Sequence, residues 1–545
     1  MRSRADDRGG GTAADVADVL DRQDDQTGAP PVKEAAVNLP DFGLGSWPAR
    51  RARIDPDRTA LVQHDRSLTY AGLADRVRRL AGALTRLGVR PGDRVAYLGV
   101  NDITVFETLF ATARCGALFV PLNYRLSPTE IRYMLDDAGA SVLVHSADTA
   151  DLVAAAGGLP DGVVIATAGG GFEAEIAEGG PRPDTPVRLE DPCLLLYTSG
   201  TTGRPKAAVL THGNLTWNTV NQLAHLDVLG TDKALCIAPL FHCVGLGQIT
   251  LPTLFKGGSV EPVAKFDPGT ILARIGEAGI TSFSAVPTML EMMWRHEAWD
   301  RTDLSSLTCV LYGGSPVAGR VARAWLDRGV KLLQGYGMTE ASPGVSMATH
   351  EGTLDHPVAA GVPHFFTDVA ALGPDLTPQP LDGTPAELLV RGPHVFAGYW
   401  HRPEESAAGF VDGGWFRTGD VVRVDDDGWA HVVDRVKDMI ISGGENVYPA
   451  EIEAVAAGLD EVDACAVVGV PDARWGEAGA AFVVLRPGAE LDEQQFRAHL
   501  ERHLARYKIP KHVLFTDTLP RNATGKIRRV ELRTLAAETF TNGPA

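Results

Sequence analysis

Cysteine is scarce in this sequence, and its distribution argues against a zinc module. The chain of 545 residues contains six cysteines, which are dispersed along its length. They form no Cys-x-x-Cys pair and lack the spacing typical of zinc sites. We therefore expect reduced, mostly buried thiols.

Long apolar segments are also missing. The longest apolar runs are well short of the ~20 residues that a membrane-spanning helix needs. Arg2 and Arg4 are not followed by the apolar stretch of a signal peptide. The sequence therefore predicts a cytoplasmic protein without a transmembrane segment.

Positive charge is in deficit. Lys and Arg together number 51, against 69 for Asp and Glu, so the formal net charge is -18 at pH 7. A nucleic-acid partner would require a basic surface, and this balance argues against one. Any anionic substrate must instead be held by a few local cations.

The composition that remains is typical of a globular protein with more than one domain. Hydrophobic residues make up 44% and charged residues 22% of a chain too long for one ordinary core. Residues 1–35 lack a sustained apolar period and are expected to form a flexible leader. We expect a large N-terminal domain over residues 36–436 and a small C-terminal domain over residues 437–545.

The order of apolar segments predicts an α/β fold for the large domain. Strand-like runs such as "RVAYLGV" alternate with helix-like runs such as "LADRVRRLAGALTRLG". Near Val421 two short alternating segments flank an Asp-Gly turn and predict a hairpin. After Asp434, helix-like and strand-like segments of a small α+β domain follow.

One loop has the composition of a phosphate-binding loop. The string "YTSGTTGRPK" (197–206) follows an apolar run and combines hydroxyl side chains, glycines and a lysine. Glycine lets backbone N–H groups approach an oxyanion closely, hydroxyls add donors, and a lysine neutralises charge. The spacing is not that of a Walker A motif. The predicted phosphate-binding residues are Thr198, Ser199, Gly200, Thr201, Thr202, Gly203 and Lys206.

This loop and four further strings resemble the adenylate-forming superfamily of acyl-CoA synthetases, luciferases and peptide-synthetase adenylation domains. The other strings are "QGYGMTE" (334–340), "WFRTGD" (415–420), "DRVKDMIISGGENVYPAEIE" (434–453) and "PRNATGKIRR" (520–529). All five occur in the family's order and at its spacing, from about residue 40 to the end. The resemblance implies a large N-terminal domain, a mobile C-terminal domain, and ATP, magnesium and coenzyme A as reactants or cofactors.

The resemblance assigns a second group of residues to the nucleotide. Taken alone, "YGGSP" is an ordinary turn after a strand, but a Gly-Gly pair also leaves room for a flat base and a Tyr ring offers a stacking face. The expected adenine-binding residues are Gly313, Gly314, Ser315 and Tyr336, with Gln334 and Gly335 beside them, and Gly337 and Met338 are expected to be cofactor-binding residues as well.

Four residues are expected to contact the phosphate, the metal and the ribose. In the family, the pair matching Thr339 and Glu340 contacts the α-phosphate and holds magnesium, which prefers oxygen ligands. Asp420 is expected to accept hydrogen bonds from the ribose hydroxyls. Arg435 is expected to add a ribose or phosphate contact.

The C-terminal segment supplies residues for two successive half-reactions. The lysine matching Lys526 reaches between the attacking carboxylate and the α-phosphate in the family, where a cation offsets repulsion between two anions. Gly443 and Gly444 lack side chains and are expected to border the pantetheine arm of coenzyme A. Lys437 corresponds to the hinge about which the small domain turns.

The segment "APLFHCVGLGQ" (238–248) bears on the acid. Amino-acid-activating relatives usually have an Asp after the Phe, whereas this chain has His242. We therefore expect a carboxylic acid without an α-amino group, and His242 resembles the aromatic gate of acyl-CoA synthetases, although a lone His is often a core residue. Other expected pocket-wall positions are Val244, Leu246, Ile249, Val286, Gly313, Gly314 and Met338.

The resulting hypothesis is an AMP-forming acyl-CoA synthetase. Fatty, aryl or cinnamic-type and bulky secondary-metabolite acids all stay open as substrates. Rival hypotheses are an enzyme that loads a carrier protein instead of coenzyme A, a luciferase-like oxygenase and a catalytically inactive binding protein. The last would be expected to have lost Lys526 or "YGMTE", and both are present.

Overall fold

The computed structural model of the chain describes residues 41–180, 185–198, 205–314, 317–435, 437–442, 445–472, 475–504, 506–522 and 526–540. The predicted leader, residues 1–35, lies outside this part of the chain.

Helices are distributed over the whole described chain. They are α1 (Trp47–Ile54), α2 (Tyr70–Arg86), α3 (Ile103–Arg114), α4 (Pro128–Ala138), α5 (Ala150–Ala155), α6 (Gly171–Glu178), α7 (His212–His225), α8 (Cys243–Gly247), α9 (Thr250–Lys256), α10 (Pro268–Ala278), α11 (Pro287–Trp294), α12 (Gly319–Leu326), α13 (Pro403–Ala408), α14 (Pro449–Ala456), α15 (Glu493–His503) and α16 (Arg529–Phe540).

Strands alternate with these helices in the first two thirds of the chain and dominate the rest. They are β1 (Thr59–Gln63), β2 (Arg66–Thr69), β3 (Arg94–Leu98), β4 (Leu118–Leu122), β5 (Val142–His145), β6 (Val163–Ala166), β7 (Pro192–Thr198), β8 (Lys206–Thr211), β9 (Lys233–Cys236), β10 (Ser259–Pro262), β11 (Ser282–Ala285), β12 (Cys309–Tyr312), β13 (Leu332–Gly337), β14 (Gly344–Met347), β15 (Val362–Pro363), β16 (Asp368–Leu372), β17 (Pro378–Gln379), β18 (Ala386–Arg391), β19 (Gly398–Tyr399), β20 (Phe410–Val411), β21 (Trp415–Val424), β22 (Ala430–Arg435), β23 (Ile440–Ser442), β24 (Glu445–Val447), β25 (Val462–Asp472), β26 (Gly476–Leu485) and β27 (His512–Phe515).

Two large mixed sheets form the framework of the N-terminal part. One has the strand order β15-β14-β13-β12-β11-β9-β10-β1-β2 and the other has the order β19-β8-β7-β4-β3-β5-β6. Their central strands are parallel and almost continuously apolar, as in β4, all five residues of which are buried. This is the pattern of strands covered on both faces by helices. The functional motifs follow β7, β12 and β13 in the sequence.

Two smaller sheets follow. The first has the order β17-β16-β18-β21-β20, with β22 paired to β21, and the second has the order β24-β23-β26-β25, with β27 paired to β26. The hairpin predicted near Val421 is therefore confirmed as β21 and β22. The architecture is a large N-terminal α/β domain followed by a small C-terminal α+β domain, as expected.

Each domain has its own buried apolar clusters. The largest cluster lies in the N-terminal part and includes Phe106, Phe119 and Leu210. In the C-terminal part, Val467, Phe482 and Phe496 are fully buried. Among the described residues, no helix is both long enough and apolar enough to span a membrane.

Helix α7 begins with a capping box. The Thr211 hydroxyl accepts a hydrogen bond from the Asn214 backbone N–H at 3.0 Å, and the Asn214 side chain accepts one from the Thr211 N–H at 2.9 Å. These two bonds satisfy donors that a helix N-terminus otherwise leaves free. The cap fixes the start of α7, the helix that contains Gln222.

We expect Thr211→Ala to destabilise the large domain by about 1 kcal/mol, because it removes the N-cap acceptor. Thr211→Ser is the matched control, since it retains the hydroxyl. The measurement is the midpoint of thermal unfolding of each variant. Equal midpoints for the Ala and Ser variants would show that the cap contributes nothing.

Candidate functional site

The predicted phosphate loop connects β7 and β8. Thr198, at the end of β7, pairs with Lys206 at the start of β8, and its hydroxyl donates a hydrogen bond to the Lys206 carbonyl at 3.4 Å. The strand pair thus brings the two ends of the loop together. The predicted residues Ser199, Gly200, Thr201, Thr202 and Gly203 lie outside the described residues.

Lys206 and Glu340 are connected through Tyr399, which sequence reasoning missed. The Lys206 ammonium lies 3.6 Å from the centre of the Tyr399 ring and donates a hydrogen bond to Glu405 at 3.0 Å. The Tyr399 hydroxyl donates to Glu340 Oε1 at 2.7 Å. Burial raises the pKa of Tyr399, and the Glu340 charge raises it further, so the phenol stays protonated. The sequence marks Tyr399 only as one of the aromatic residues in "FAGYW". In the structure Tyr399 belongs to edge strand β19, which pairs with β8.

Glu340 fits the role of a metal ligand. It lies in a short 3-10 helix (Thr339–Ala341), and its carboxylate is buried. Within the described part of the chain, no Lys or Arg forms an ion pair with it. A buried carboxylate without a protein cation is a suitable hard ligand for a divalent metal ion.

The predicted adenine-binding residues lie on neighbouring strands. Gly313 and Gly314 follow β12, and Gln334 and Gly335 belong to the parallel strand β13. The Gln334 side-chain oxygen accepts a hydrogen bond from Tyr312 at 2.8 Å, so the protein itself uses this atom. Ser315 lies outside the described residues.

Asp420 joins the adenine strand to the hairpin. Its carboxylate accepts a hydrogen bond from the Tyr336 hydroxyl at 2.8 Å and forms an ion pair with Arg435 at 3.0 Å. Asp420 and Arg435 are direct partners across β21 and β22. Burial and the Asp420 charge hold the pKa of Tyr336 well above its ordinary value. The structure thus brings three predicted nucleotide-binding residues together.

Lys526 is electrostatically coupled to this group. The residue has exposed surface, yet protein atoms enclose its ammonium closely enough that desolvation lowers its pKa to about 8. The positive charge of Arg435 lowers the pKa further, and Asp420 opposes this effect. A residue of the C-terminal domain therefore lies within electrostatic range of the predicted ribose carboxylate.

Lys437 is two positions beyond the end of β22 and is exposed. Desolvation lowers its pKa, and the charge of Arg435 acts in the same direction. Its backbone carbonyl and the neighbouring Asp438 side chain both accept hydrogen bonds from Arg533 of α16. Gly443 and Gly444 lie outside the described residues.

His242 is the N-cap residue of α8. Its ring contacts Phe241 edge to face with the ring centres 4.7 Å apart, and Phe241 packs against Tyr124. Burial lowers the pKa of His242 to about 4, and the positive charge of Arg125 lowers it as well. Its Nε2 atom is buried and has no hydrogen-bond partner. A neutral imidazole with one unused nitrogen therefore faces the protein interior.

A cavity of about 40 Å³ lies between α7, α8 and the hairpin of β13 and β14. Gly337 allows the hairpin to close, since a Cβ atom there would overlap the Pro343 carbonyl. Next to the cavity, Cys243 contacts Thr339 with sulfur and oxygen 3.6 Å apart. The lining residues are Gln222, Cys243, Val244, Gln248, Gly314, Gly335, Tyr336, Gly337, Pro343, Gly344, Ser346, Met347 and His364.

The cavity wall differs in part from the expected one. Of the expected wall positions, Val244 and Gly314 line this cavity. Leu246 and Ile249 are buried in the largest apolar cluster, and the described lining residues do not include Val286, Gly313 or Met338. Gln222 and His364 line it and were missed. The signal for Gln222 in the sequence is the spacing of polar residues in "NTVNQLAH", which is that of a helix. His364 has no local signal, because it lies 142 positions from Gln222 in the chain.

A second polar cluster lies at the turn of the β21–β22 hairpin. Ligand atoms of His356, Asp425 and His431 all lie within 4.8 Å of one another. His431 and Asp425 are already hydrogen-bonded at 2.7 Å, and the His356 ring stacks on Trp429. These contacts account for the cluster without a metal ion.

The sequence matches two family models. One, described as AMP-binding enzyme, covers residues 48–400, and the other, described as AMP-binding enzyme C-terminal domain, covers residues 451–526.

Curated relatives and solved structures agree with these matches. A feruloyl-CoA synthase from Amycolatopsis sp is 52% identical, over 90% of this chain and 98% of its own. An indoleacetate–CoA ligase from Aromatoleum aromaticum is 42% identical, over 91% of this chain and 99% of its own. The crystal structure of ATP-bound MatB from Rhodopseudomonas palustris superimposes with a TM-score of 0.84 at 31% identity, covering 91% of this chain and 99% of that one.

The family matches, the relatives along nearly their full length and the clustered motif residues lead to one conclusion: the chain belongs to the AMP-binding enzyme family and is an AMP-forming acyl-CoA synthetase, an acid–thiol ligase.

Proposed function

We propose that the acid activated by this enzyme is a small, planar aromatic carboxylic acid without an α-amino group. The observation that carries this proposal is the cavity between α7, α8 and the β13–β14 hairpin. Most of its described lining is apolar or glycine, which is suited to a flat apolar group.

The shape of the cavity wall favours a flat substrate. Gly335, Gly337 and Gly344 contribute backbone without side chains, and Val244 and Met347 contribute apolar surface. A planar ring can lie against such a wall with its faces on apolar groups. A branched or bulky acid would make poorer contact with it.

Two of the relatives support the same class of substrate. The two relatives named above are called feruloyl-CoA synthase and indoleacetate–CoA ligase, and both names denote acids with an aromatic ring. The described lining residues include no Asp or Glu that could pair with a substrate ammonium group. We therefore assign aromatic acids rather than amino acids to this cavity.

In the proposed first half-reaction, a carboxylate oxygen attacks the α-phosphorus of ATP and pyrophosphate leaves. Lys526 offsets the repulsion between the two anions, and Lys206 with the preceding loop binds the phosphates. Tyr336, Asp420 and Arg435 position the nucleoside. Glu340, together with phosphate oxygens, would hold Mg²⁺, which neutralises phosphate charge when bound.

In the proposed second half-reaction, the sulfur of coenzyme A attacks the acyl carbon and AMP leaves. Gly443 and Gly444 are assigned to the pantetheine channel and Lys437 to the hinge of a domain rotation. The contacts of Arg533 with Lys437 and Asp438 support a hinge here, because they tie the residues after β22 to the small domain. We place the domain boundary at residues 436 and 437 on this basis.

Reduced thiols at all six cysteines support a cytoplasmic location.

We expect the enzyme to release pyrophosphate and AMP, not ADP, with aromatic acids and to form thioester only when coenzyme A is present. The test is pyrophosphate release across a panel of aryl, cinnamic-type, medium-chain, long-chain and α-amino acids. The panel is run with and without coenzyme A, and the thioester is detected by mass. Preference for a long-chain acid would contradict the aromatic assignment, and ADP formation would contradict the reaction itself.

We expect His242→Ala to change acid selectivity or thioester transfer more than the KM for ATP, because His242 precedes the cavity-lining residue Cys243 and its ring contacts Phe241 rather than the predicted nucleotide residues. His242→Phe retains an aromatic ring and is the matched control. The two half-reactions are measured separately. A variant whose only change is a lower melting temperature would show that His242 is a core residue.

We expect kcat/KM for adenylate formation to fall above pH about 8. Lys526 must be cationic to offset the two anions, and this form is present below its pKa of about 8 and lost as pH rises through it. In Lys526→Arg the charge persists, so the alkaline fall should move to higher pH.

The control for this prediction is thioester formation from a chemically prepared acyl-adenylate, measured over the same pH range in both proteins. A fall that is the same in Lys526→Arg and the wild type would assign the titration to another group.

A further inference from the structure

Helix α7 presents an unusual row of buried polar side chains. Asn218, Asn221 and Gln222 are each at most 1% exposed. Buried amides are normally fully hydrogen-bonded, since an unpaired polar group loses its hydration without compensation. The partners of these three residues therefore show which of them have a purely structural role.

The two asparagines are satisfied by protein groups. Asn218 donates to the Gly247 carbonyl at 2.9 Å and accepts from the Gly344 N–H at 3.2 Å. Asn221 donates to the Thr367 hydroxyl at 3.3 Å and accepts from the Phe366 N–H at 2.8 Å. Both amides thus connect α7 to the strands and loops beside it.

Gln222 differs from its neighbours. Its Nε2 lies 3.3 Å from His364 Nε2, and its Oε1 is buried without a hydrogen-bond partner. His364 Nδ1 in turn lies 2.9 Å from His225 Nδ1. Burial lowers the pKa of both histidines, so the two rings are neutral. The amide therefore ends a hydrogen-bonded chain that begins at the half-buried His225.

This conclusion holds for either orientation of the Gln222 amide. His364 Nε2 faces the Gln222 amide, and His364 Nδ1 faces His225. In a neutral ring one of these two nitrogens donates a hydrogen bond and the other accepts one. His364 Nε2 therefore accepts from Gln222 when Nδ1 donates to His225, and donates to Gln222 when Nδ1 accepts. In the first case the Gln222 oxygen lacks a partner, and in the second case its N–H group does. A hydroxyl group can serve both cases, because it donates and accepts.

The Gln222–His364 pair borders the cavity between α7, α8 and the β13–β14 hairpin. Gln222, His364 and Gly344 all line the cavity. A Cβ atom on Gly344 would lie 2.7 Å from Gln222 Nε2 and 2.8 Å from His364 Nε2. Only glycine at position 344 therefore allows Gln222 and His364 to keep these positions in the cavity wall.

The pair lies on a different wall from the predicted nucleotide residues. Gly314, Gly335 and Tyr336 line the cavity from β12 and β13, whereas Gln222 and His364 line it from α7 and the loop after β15. The reacting carboxylate must lie beside the nucleotide. A group that reaches Gln222 therefore belongs to the ring and not to the carboxylate.

We propose that Gln222, supported by His364 and His225, is a specificity-determining residue that binds a hydroxyl substituent on the ring of the aromatic acid. This inference rests on the proposed aromatic substrate and narrows it to hydroxylated aryl acids. A site with a buried hydrogen-bonding group discriminates against analogues that lack the matching group, because the protein atom then stays unpaired.

The experiment compares 4-hydroxycinnamic acid with cinnamic acid, by pyrophosphate release, in the wild type and in Gln222→Met. Methionine retains the length of the side chain and removes both polar amide atoms. We expect the wild type to prefer the hydroxylated acid in kcat/KM and Gln222→Met to lose about tenfold or more of this preference. Gln379→Met, the same change at an exposed position on β17, is the matched control and should leave the preference unaltered.

Two outcomes would overturn the inference, and they are distinguishable. If the wild type activates both acids and Gln222→Met keeps the ratio between them, Gln222 does not bind the ring hydroxyl although the aromatic assignment stands. If the wild type activates neither acid but accepts aliphatic acids, the proposed function fails and the inference fails with it.

A second measurement does not depend on the folding of a variant. The wild type is given 4-methylcinnamic acid, whose methyl group is similar in size to a hydroxyl but forms no hydrogen bond. We expect kcat/KM to be about tenfold or more lower than with 4-hydroxycinnamic acid. Equal values for the two acids would contradict the inference, because size alone would then determine the preference.

Discussion

The two oxygens of the Asp420 carboxylate connect parts of the chain that are far apart in sequence. One oxygen accepts a hydrogen bond from Tyr336, 84 positions earlier, and the other pairs with Arg435 at the end of β22. Asp420 is only 4% exposed, so both contacts operate with little screening by water. Strand β13 and both strands of the β21–β22 hairpin are thereby held in one arrangement.

The local charges around Lys526 contrast with the net charge of the protein. The chain carries a formal net charge of -18, yet Arg435 and Lys437 lie near enough to Lys526 to lower its pKa. Asp420 and Asp438 act in the opposite direction and offset part of the repulsion among these cations. We expect a bound triphosphate to offset the rest.

Local sequence predicts those parts of the fold and site that depend on local pattern. The apolar runs before "YTSGTTGRPK", "YGGSP" and "YGMTE" are strands β7, β12 and β13, and the hairpin near Val421 is where its Asp-Gly turn places it. Tyr399 and His364 could not be found in this way. Their roles arise from strand pairing and helix packing between distant segments, and a single aromatic residue or histidine has no pattern of its own.

The unpaired amide of Gln222 shows why such residues matter for function. Asn218 and Asn221, on the same face of α7, each have a hydrogen-bond partner for the amide nitrogen and for the oxygen, so neighbouring protein groups can serve buried amides here. An unsatisfied buried polar group generally lowers stability by about 1–3 kcal/mol. Leucine or methionine at position 222 would remove this loss. Stability alone therefore does not explain glutamine there. A ligand hydroxyl that completes the hydrogen bonds of Gln222 would explain the glutamine. The amide group left unpaired in the free enzyme would then discriminate between acids with and without that hydroxyl.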